Sequence, residues 1–254
     1  MHMTQIPIVN KTSIIYQTSS SFERFLSWTN EKEFVATMIL KNLHPPHHAL
    51  LDIGSGDGSV TQWLTSSFDH VTLIEPSQSL HTILTQTLTD PKFLIHNQTL
   101  EMTQLTGPYD VILAAHSFRY VKDPESQLHR LSNVLSSTGR LILIEISPES
   151  RFWPFYLPYE QAIRHNLTDP MSYDYQPLLS KLFHVEKQPF TTYVNVPSVE
   201  EGISILDFLY DVPHNQIPEV IKDQIRRDWL VQFGQGPIQI QFDHILYLCQ
   251  KTFF

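Results

Sequence analysis

The chain reads as an α/β fold. Its expected architecture is a doubly wound sheet of seven strands, mostly parallel with the last antiparallel, with an N-terminal helical cap and a lid insertion after the fifth strand. Two observations predict this. Short apolar runs at Ala49–Ile53, His70–Glu75, Phe93–Ile95, Tyr109–Ala115 and Arg140–Ile146 alternate with segments of helical periodicity. Repeated strand–helix–strand units imply right-handed crossovers and a sheet covered on both faces. In addition, glycine is scarce (8 in 254 residues), yet three glycines stand at alternate positions directly after the first apolar run. A strand must turn sharply into a helix there.

Taken in order, Phe22 to Leu43 carries apolar residues at helical spacing and predicts one helix, which the breaker HPPHH ends. Ala49–Ile53 is too short for a helix and is stopped by glycine, so it reads as a buried strand. Helices are expected over Val60–Phe68, Ser77–Leu88 and Pro124–Leu135, and Gly139 is read as closing the turn into the fifth strand. After Ser147 the composition shifts to proline and aromatic residues (RFWPFYLPYEQ, then YDYQPLLSKLF). Two β-rich segments, Gln188–Val196 and Ile238–Cys249, flank helices expected at Val199–Tyr210 and Pro218–Gln232. The organisation is therefore one domain over 1–254: a helical cap (1–47), a ligand-binding core (48–147), a lid or substrate region (148–187) and C-terminal strands and helices that complete the sheet (188–254).

The formal charge is −9, and no Lys/Arg cluster stands out. That disfavours a nucleic-acid partner, which would need a basic stripe to neutralise phosphates. The single cysteine, Cys249, permits a reducing compartment and reads as a buried structural thiol. The start MHMTQIPIVNKT lacks the apolar core of a signal peptide, and no stretch approaches a membrane span. The expectation is a cytoplasmic protein with no membrane partner and no metal ligand set; the sequence leaves its oligomeric state open.

The chemistry centres on Leu51-Asp52-Ile53-Gly54-Ser55-Gly56-Asp57-Gly58. Glycine removes the Cβ that would hold a ligand away from the backbone, and the free N–H groups at the following helix start are directed at the ligand. A nicotinamide fingerprint needs G-x-G-x-x-G, but Ser59 stands where its third glycine would fall. A phosphate loop needs a lysine, and none lies near. D-x-G-x-G-x-G remains. Glu75, closing the second strand in Glu75-Pro76-Ser77, is placed to accept both hydroxyls of a ribose. After the third strand, His96-Asn97-Gln98-Thr99-Leu100 offers the Asn97 and Gln98 amides to an adenine edge. At the carboxyl end of the fourth strand Ala114 and Ala115 leave room for a ligand, and His116 follows, pointing into the site.

The D-x-G-x-G-x-G loop closely resembles that of class I S-adenosylmethionine-dependent methyltransferases, whose fold is Rossmann-like. Within that class the chain resembles the histamine N-methyltransferase group over nearly its whole length. The resemblance is carried by Ser21-Phe22-Glu23-Arg24-Phe25-Leu26 with Glu31 shortly after, Glu75-Pro76-Ser77, Tyr120-Val121-Lys122-Asp123 and Asp207-Phe208-Leu209, together with Pro218 and its helix and the closing strand. It implies S-adenosyl-L-methionine as cofactor, bound through Asp52, Gly54, Ser55, Gly56, Glu75, Pro76, Ser77, Asn97, Gln98, Thr99, Leu100 and Ala115. It also implies that Glu31 holds the substrate's ammonium group at the end of the first helix. Phe22, Trp153, Phe208 and Tyr120 fall at positions of the substrate pocket. Where the group carries amides at the end of the fourth strand and in the last strand, this chain has His116 and Asp243, which departs from histamine itself.

The expected reaction is methyl transfer to a small molecule, with His116 or Asp243 orienting or deprotonating the nucleophile. Two carboxylates in one apolar pocket would repel unless a cation, or a proton on His116, sat between them; a cationic substrate relieves that cost, so the acceptor is expected to be a cationic amine or N-heterocycle. A small-molecule O-methyltransferase acting on a phenol or carboxylate, and a non-catalytic cofactor-binding regulator, are the alternatives.

Overall fold

The computed structural model describes residues 20–43, 47–164 and 173–252. Five strands, β1 (Ala49–Ile53), β2 (His70–Ile74), β3 (Phe93–His96), β4 (Tyr109–Ala115) and β5 (Leu135–Ile146), are joined by β6 (Phe183–Val196) and β7 (Ile238–Lys251). The sheet order is β3-β2-β1-β4-β5-β7-β6. All pairs from β3 to β5 are parallel, and β7 runs antiparallel to both β5 and β6. The doubly wound seven-stranded sheet with an antiparallel last strand is thus the observed fold.

Burial on both faces explains why the strands read as continuous apolar runs. Leu50, Val111, Leu113, Ile142 and Ile144 pack on one face, together with helices α2 (Glu31–Lys41) and α3 (Ser59–Leu64). Leu51, Ile112, Ala114, Leu141 and Leu143 pack on the other face with α5 (Pro124–Val134) and α7 (Gln176–Leu179). Helix α4 (Gln78–Thr87) follows β2 and sends Leu84 into the first layer.

A third core lies beyond the sheet proper. β5 ends opposite His244, and from there towards Ile238 strand β7 pairs only with β6. This two-stranded extension overhangs the carboxyl edge of the parallel strands. Its Val194, Val196, Ile238, Ile240 and Phe242 pack with Phe25, Trp153, Tyr156, Tyr210 and Trp229. Those residues come from α1 (Ser20–Trp28), α6 (Trp153–Ile163), α9 (Leu206–Tyr210) and α10 (Glu219–Phe233), and Val199 and Ile203 of α8 (Val199–Ile203) join the same core. The overhang and its helices form a wall above the strand ends.

Several boundaries differ from the sequence expectation. Phe22–Leu43 is two helices, because Thr29 bridges to Val194 of β6 and Asn30 exchanges hydrogen bonds with Tyr193 at 3.3 Å and 3.0 Å. Glu31 therefore opens α2 instead of closing a first helix. The Val199–Tyr210 segment is likewise two short helices. β6 begins at Phe183, and Gly139 lies inside β5, in the irregular stretch between Leu135 and Arg140 where the register with β4 shifts. The expected lid extends over 165–172, which lies outside the described residues. Of its described part, α6 packs into the third core and α7 against the opposite face. Cys249 is fully buried, and burial pushes its thiol pKa up. Among the described residues no helix is long and apolar enough to cross a membrane.

Candidate functional site

The glycine loop turns from β1 into α3 at the carboxyl edge, where open α/β sheets bind ligands. Gly54 has φ 69°, and a Cβ there would lie 2.4 Å from the Ser117 Cβ. Only glycine lets the loop approach the end of β4 so closely. Ser117 ties the same contact by donating its hydroxyl to the Ile53 carbonyl at 2.5 Å. Gly56 has φ 62°, with nothing within 4 Å of the position its Cβ would take, so the loop is open towards a cleft of about 270 Å³. The first free N–H of α3 is not directed at a ligand: Asp57 accepts it from Ser59 at 3.0 Å.

Asp52, Gly54, Ser55, Gly56, Glu75, Pro76, Ser77, Thr99, Leu100 and Ala115 all line this cleft. Glu75 is buried and held at both oxygens: Gly56 N–H donates to Oε2 at 2.9 Å and Ser77 N–H to Oε1 at 2.8 Å. Each carboxylate oxygen keeps a further lone pair for the cleft. Burial pushes the Glu75 pKa up to about 7 against those two bonds, and the neighbouring Asp52 and Asp57 add to the rise. Asp52, hydrogen-bonded by the Thr61 hydroxyl, is raised by burial to about 6.

Asn97 and Gln98 do not line the cleft. The Asn97 amide donates to the Glu75 and Pro76 carbonyls at 2.9 Å and 3.2 Å, so it fastens the turn that carries Glu75. Thr99, Leu100 and Glu101 are the residues of that loop that reach the cleft.

A second pocket of about 90 Å³ adjoins the first. Phe22, Lys32, His116 and Tyr120 line both. Its apolar side is Phe22 against Phe208 (ring centroids 5.4 Å apart), Phe25 against Phe208 (4.7 Å), Phe152 and Phe242. Its polar side includes Glu31, Lys32, His116, Arg119 and Asp211. Helix α1 from the cap, α9 and the overhang thus close over the end of β4.

His116 sits at that end with φ 57°, in the left-handed region, and donates its N–H to the Ile144 carbonyl at 2.8 Å. Its Nε2 lies 3.7 Å from Glu31 Oε1 and its Nδ1 4.0 Å from Glu145 Oε2. The His244 ring stands edge-on at 5.1 Å. Burial drives the His116 pKa down to about 3 despite the pull of Glu31, so the imidazole is neutral near pH 7. Burial alone would raise the Glu31 carboxyl, but His116, Lys32 (3.4 Å away) and His244 outweigh it and hold it at about 2. Glu145 is pushed up to about 7 by burial, against the opposing pull of Arg119. Glu31 is therefore ionised beside a neutral histidine.

Two expected site residues lie elsewhere. Asp243 is on the opposite face of β7 from His244, since strand side chains alternate. It accepts Arg151 Nε and Nη2 at 2.9 Å and 2.8 Å and the Thr191 hydroxyl at 2.8 Å, and it lines neither pocket. Trp153 is packed in the third core with its indole N–H on the Ser147 carbonyl at 2.7 Å; its neighbour Phe152 reaches the pocket instead. His244, Lys32, Arg119 and Glu145 were not anticipated. Alternation along the last strand, which faces Phe242 to the pocket, could have pointed to His244.

A sheet in this order, with a glycine loop after its first strand and a cleft at its carboxyl edge, defines the class I S-adenosylmethionine-dependent methyltransferases. The chain belongs to the methyltransferase-domain family, whose model matches residues 25–219. Curated relatives include a malonyl-[acyl-carrier protein] O-methyltransferase of Bacillus anthracis, 23% identical over 61% of this chain, and a demethylmenaquinone methyltransferase of Chlamydia pneumoniae, 26% identical over 46%. The chain spans 60% and 52% of those proteins' own lengths. Among solved structures it is similar in fold to a candidate methyltransferase from Bacillus halodurans C-125 (TM-score 0.63, 14% identity, covering 85% of this chain and 99% of that one). It is also similar to a possible histamine N-methyltransferase from Thermotoga maritima (TM-score 0.56, 16% identity, covering 93% and 98%).

Proposed function

We propose that the protein transfers the methyl group of S-adenosylmethionine to a small molecule, and that the acceptor atom is the nitrogen of an amine or N-heterocycle. The observation that carries this reading is the position of His116. It is common to the cleft and the pocket, and the ionised Glu31 stands 3.7 Å behind it. In this reading Glu75 takes both ribose hydroxyls on its spare lone pairs, Thr99 and Leu100 flank the adenine, and the sulfonium points towards His116. In-line displacement needs the two reactants aligned in a dry site, and the residues shared by cleft and pocket supply that alignment. The neutral imidazole accepts a hydrogen bond from the acceptor's N–H and leaves the nitrogen lone pair facing the methyl. Glu31 balances a cationic group on the acceptor, and the aromatic wall of Phe22 and Phe208 packs against it. Asp243 has no part in it. The whole chain acts as one unit, in the cytoplasm, in line with its single buried cysteine.

An oxygen acceptor is the second reading. Lys32 and Arg119 in the pocket wall would suit a carboxylate, and one curated relative is an O-methyltransferase. Radiolabelled methyl transfer screened over amines, imidazoles, phenols and short carboxylates decides between them. Label on an amine or heterocycle supports the first reading, and label confined to oxygen acceptors overturns it.

A further inference from the structure

We propose that Glu31, His116 and His244 form a binding site for one divalent transition-metal ion, with its open coordination position towards the acceptor pocket. Helix α2, the end of β4 and strand β7 bring the three together. One ligand atom from each lies within 4.8 Å of the others. Bonds of about 2.0–2.2 Å to a zinc-like ion put adjacent ligand atoms roughly 3.3 Å apart, so the 3.7 Å between Glu31 Oε1 and His116 Nε2 needs only a small closure.

The two imidazoles are prepared in the manner of metal ligands. His244 shares a 2.7 Å hydrogen bond between Nε2 and the Thr192 hydroxyl, which leaves Nδ1 over. His116 Nδ1 lies 4.0 Å from Glu145 Oε2, beyond hydrogen-bond distance but directed at that carboxylate, and its remaining Nε2 faces Glu31. Both remaining nitrogens are buried without a hydrogen-bond partner. A metal-ligating histidine characteristically gives its second nitrogen to an oxygen acceptor, which fixes ring and tautomer. A buried nitrogen left bare costs free energy unless something takes its lone pair. His244 is 1% exposed and stacked on Phe190 with centroids 4.8 Å apart, so its ring is fixed in place.

Two imidazoles and one carboxylate suit zinc, iron(II), cobalt or nickel and not the all-oxygen preference of calcium or magnesium. Three protein ligands leave a position for a donor atom of the acceptor, distal to the atom that takes the methyl. This rests on the reading of the Phe22–Phe208 pocket as the acceptor's. With the metal bound, Glu31 and His116 Nε2 serve as its ligands, and the metal replaces a cationic group as the charge that Glu31 faces. The acceptor is then held through its metal-bound donor atom instead of a hydrogen bond to His116. Lys32 competes for the same Glu31 oxygen at 3.4 Å, so Lys32→Gln should tighten metal binding.

The test uses the full chain, stripped with a chelator and titrated with Co²⁺ alone, followed by its visible absorption, and with Zn²⁺ alone by calorimetry. One equivalent is expected to bind. Glu31→Gln should weaken binding at least tenfold, as should His116→Asn, in which asparagine tolerates the left-handed backbone. Thr192→Val should weaken it about 10–100-fold through the second nitrogen of His244. Thermal unfolding confirms that each variant is folded. The site is overturned if the wild type takes up no stoichiometric metal, or if binding is unchanged in Glu31→Gln and His116→Asn, which would assign it to other histidines. Full-rate methyl transfer by metal-free protein would also overturn the site while leaving the methyltransferase reading intact. Metal bound at these residues without transfer to any acceptor would uphold the site and count against the reaction.

Discussion

Glu31, the first residue of α2, and His116, just past the end of β4, face each other with Oε1 3.7 Å from Nε2. One is ionised and the other neutral, because His116 and then Lys32 pull the carboxyl down against its burial, while burial strips the imidazole of its proton. The pair is set where the cleft behind the glycine loop meets the aromatic pocket, and it gives that pocket a negative charge beside an uncharged hydrogen-bond acceptor.

Substituting Glu31→Gln should raise KM for a cationic acceptor about 10–150-fold, the equivalent of the roughly 1.5–3 kcal/mol of a charged hydrogen bond. It should lower kcat much less, since the contact is made equally in the ground and transition states. Affinity for S-adenosylhomocysteine should not move. Steady-state kinetics with calorimetry separates the three quantities, and an unchanged KM would remove Glu31 from the acceptor site.

Glu75→Ala removes an acceptor that Gly56 and Ser77 hold in place. Calorimetry with S-adenosylhomocysteine should show a loss of about 1.5–3 kcal/mol, and wild-type affinity in the variant would refute the ribose contact.

Cofactor binding should depend on pH through the same carboxyl, raised by burial to about 7 in the free protein. Ribose hydroxyls donate to its ionised form, so binding expels a proton. Affinity should rise about tenfold per pH unit up to about pH 7 and be flat above it. The folded-state pKa exceeds the unfolded value of 4.5. Between about pH 4.5 and 7 the unfolded chain therefore holds fewer protons, and this group's contribution to stability falls as pH rises. Titration calorimetry in two buffers measures the proton release, and thermal unfolding across this pH range measures the stability effect, with Glu75→Gln as the flat reference for both.

Asp243→Asn should leave KM for the acceptor within about twofold and lower the unfolding temperature only slightly, because the Arg151 fork that it weakens at the edge of the overhang is solvent-screened. Kinetics and thermal unfolding of this one variant distinguish the observed placement from the one expected on sequence alone.

The sheet was legible because its inner strands β1, β2, β4 and β5 carry apolar residues on both faces and so read as short apolar runs. Leu50 and Leu51 pack into opposite layers, while the edge strand β3 is only partly buried, with Leu94 exposed. Glu75 and the glycine loop were legible because close backbone approach restricts the residue type. Less visible were features set by long-range pairing. The break at Thr29–Asn30 depends on β6, distant in sequence. Asp243 was named on the face of β7 opposite Phe242, which lines the pocket, and His244, which stands against His116, because a one-residue difference in a strand exchanges faces. Lys32, Arg119 and Glu145 carry charges that read as solvated in a sequence, and only the fold shows that they lie in a pocket wall or beneath it. Trp153 and Phe152 are adjacent aromatics, and no local pattern says which one reaches the pocket.

The central claim is methyl transfer through a cleft and pocket that meet at His116. The most direct measurement is the rate at which labelled methyl passes from S-adenosylmethionine to an amine and N-heterocycle panel, in wild type, Glu75→Ala and His116→Asn. The account predicts label on at least one nitrogen acceptor with the wild type. It further predicts a rate recovered at high cofactor concentration in Glu75→Ala, and a rate still depressed at saturating cofactor in His116→Asn. A wild type that binds S-adenosylhomocysteine yet labels no acceptor, or a His116→Asn variant with the wild-type rate, would contradict it.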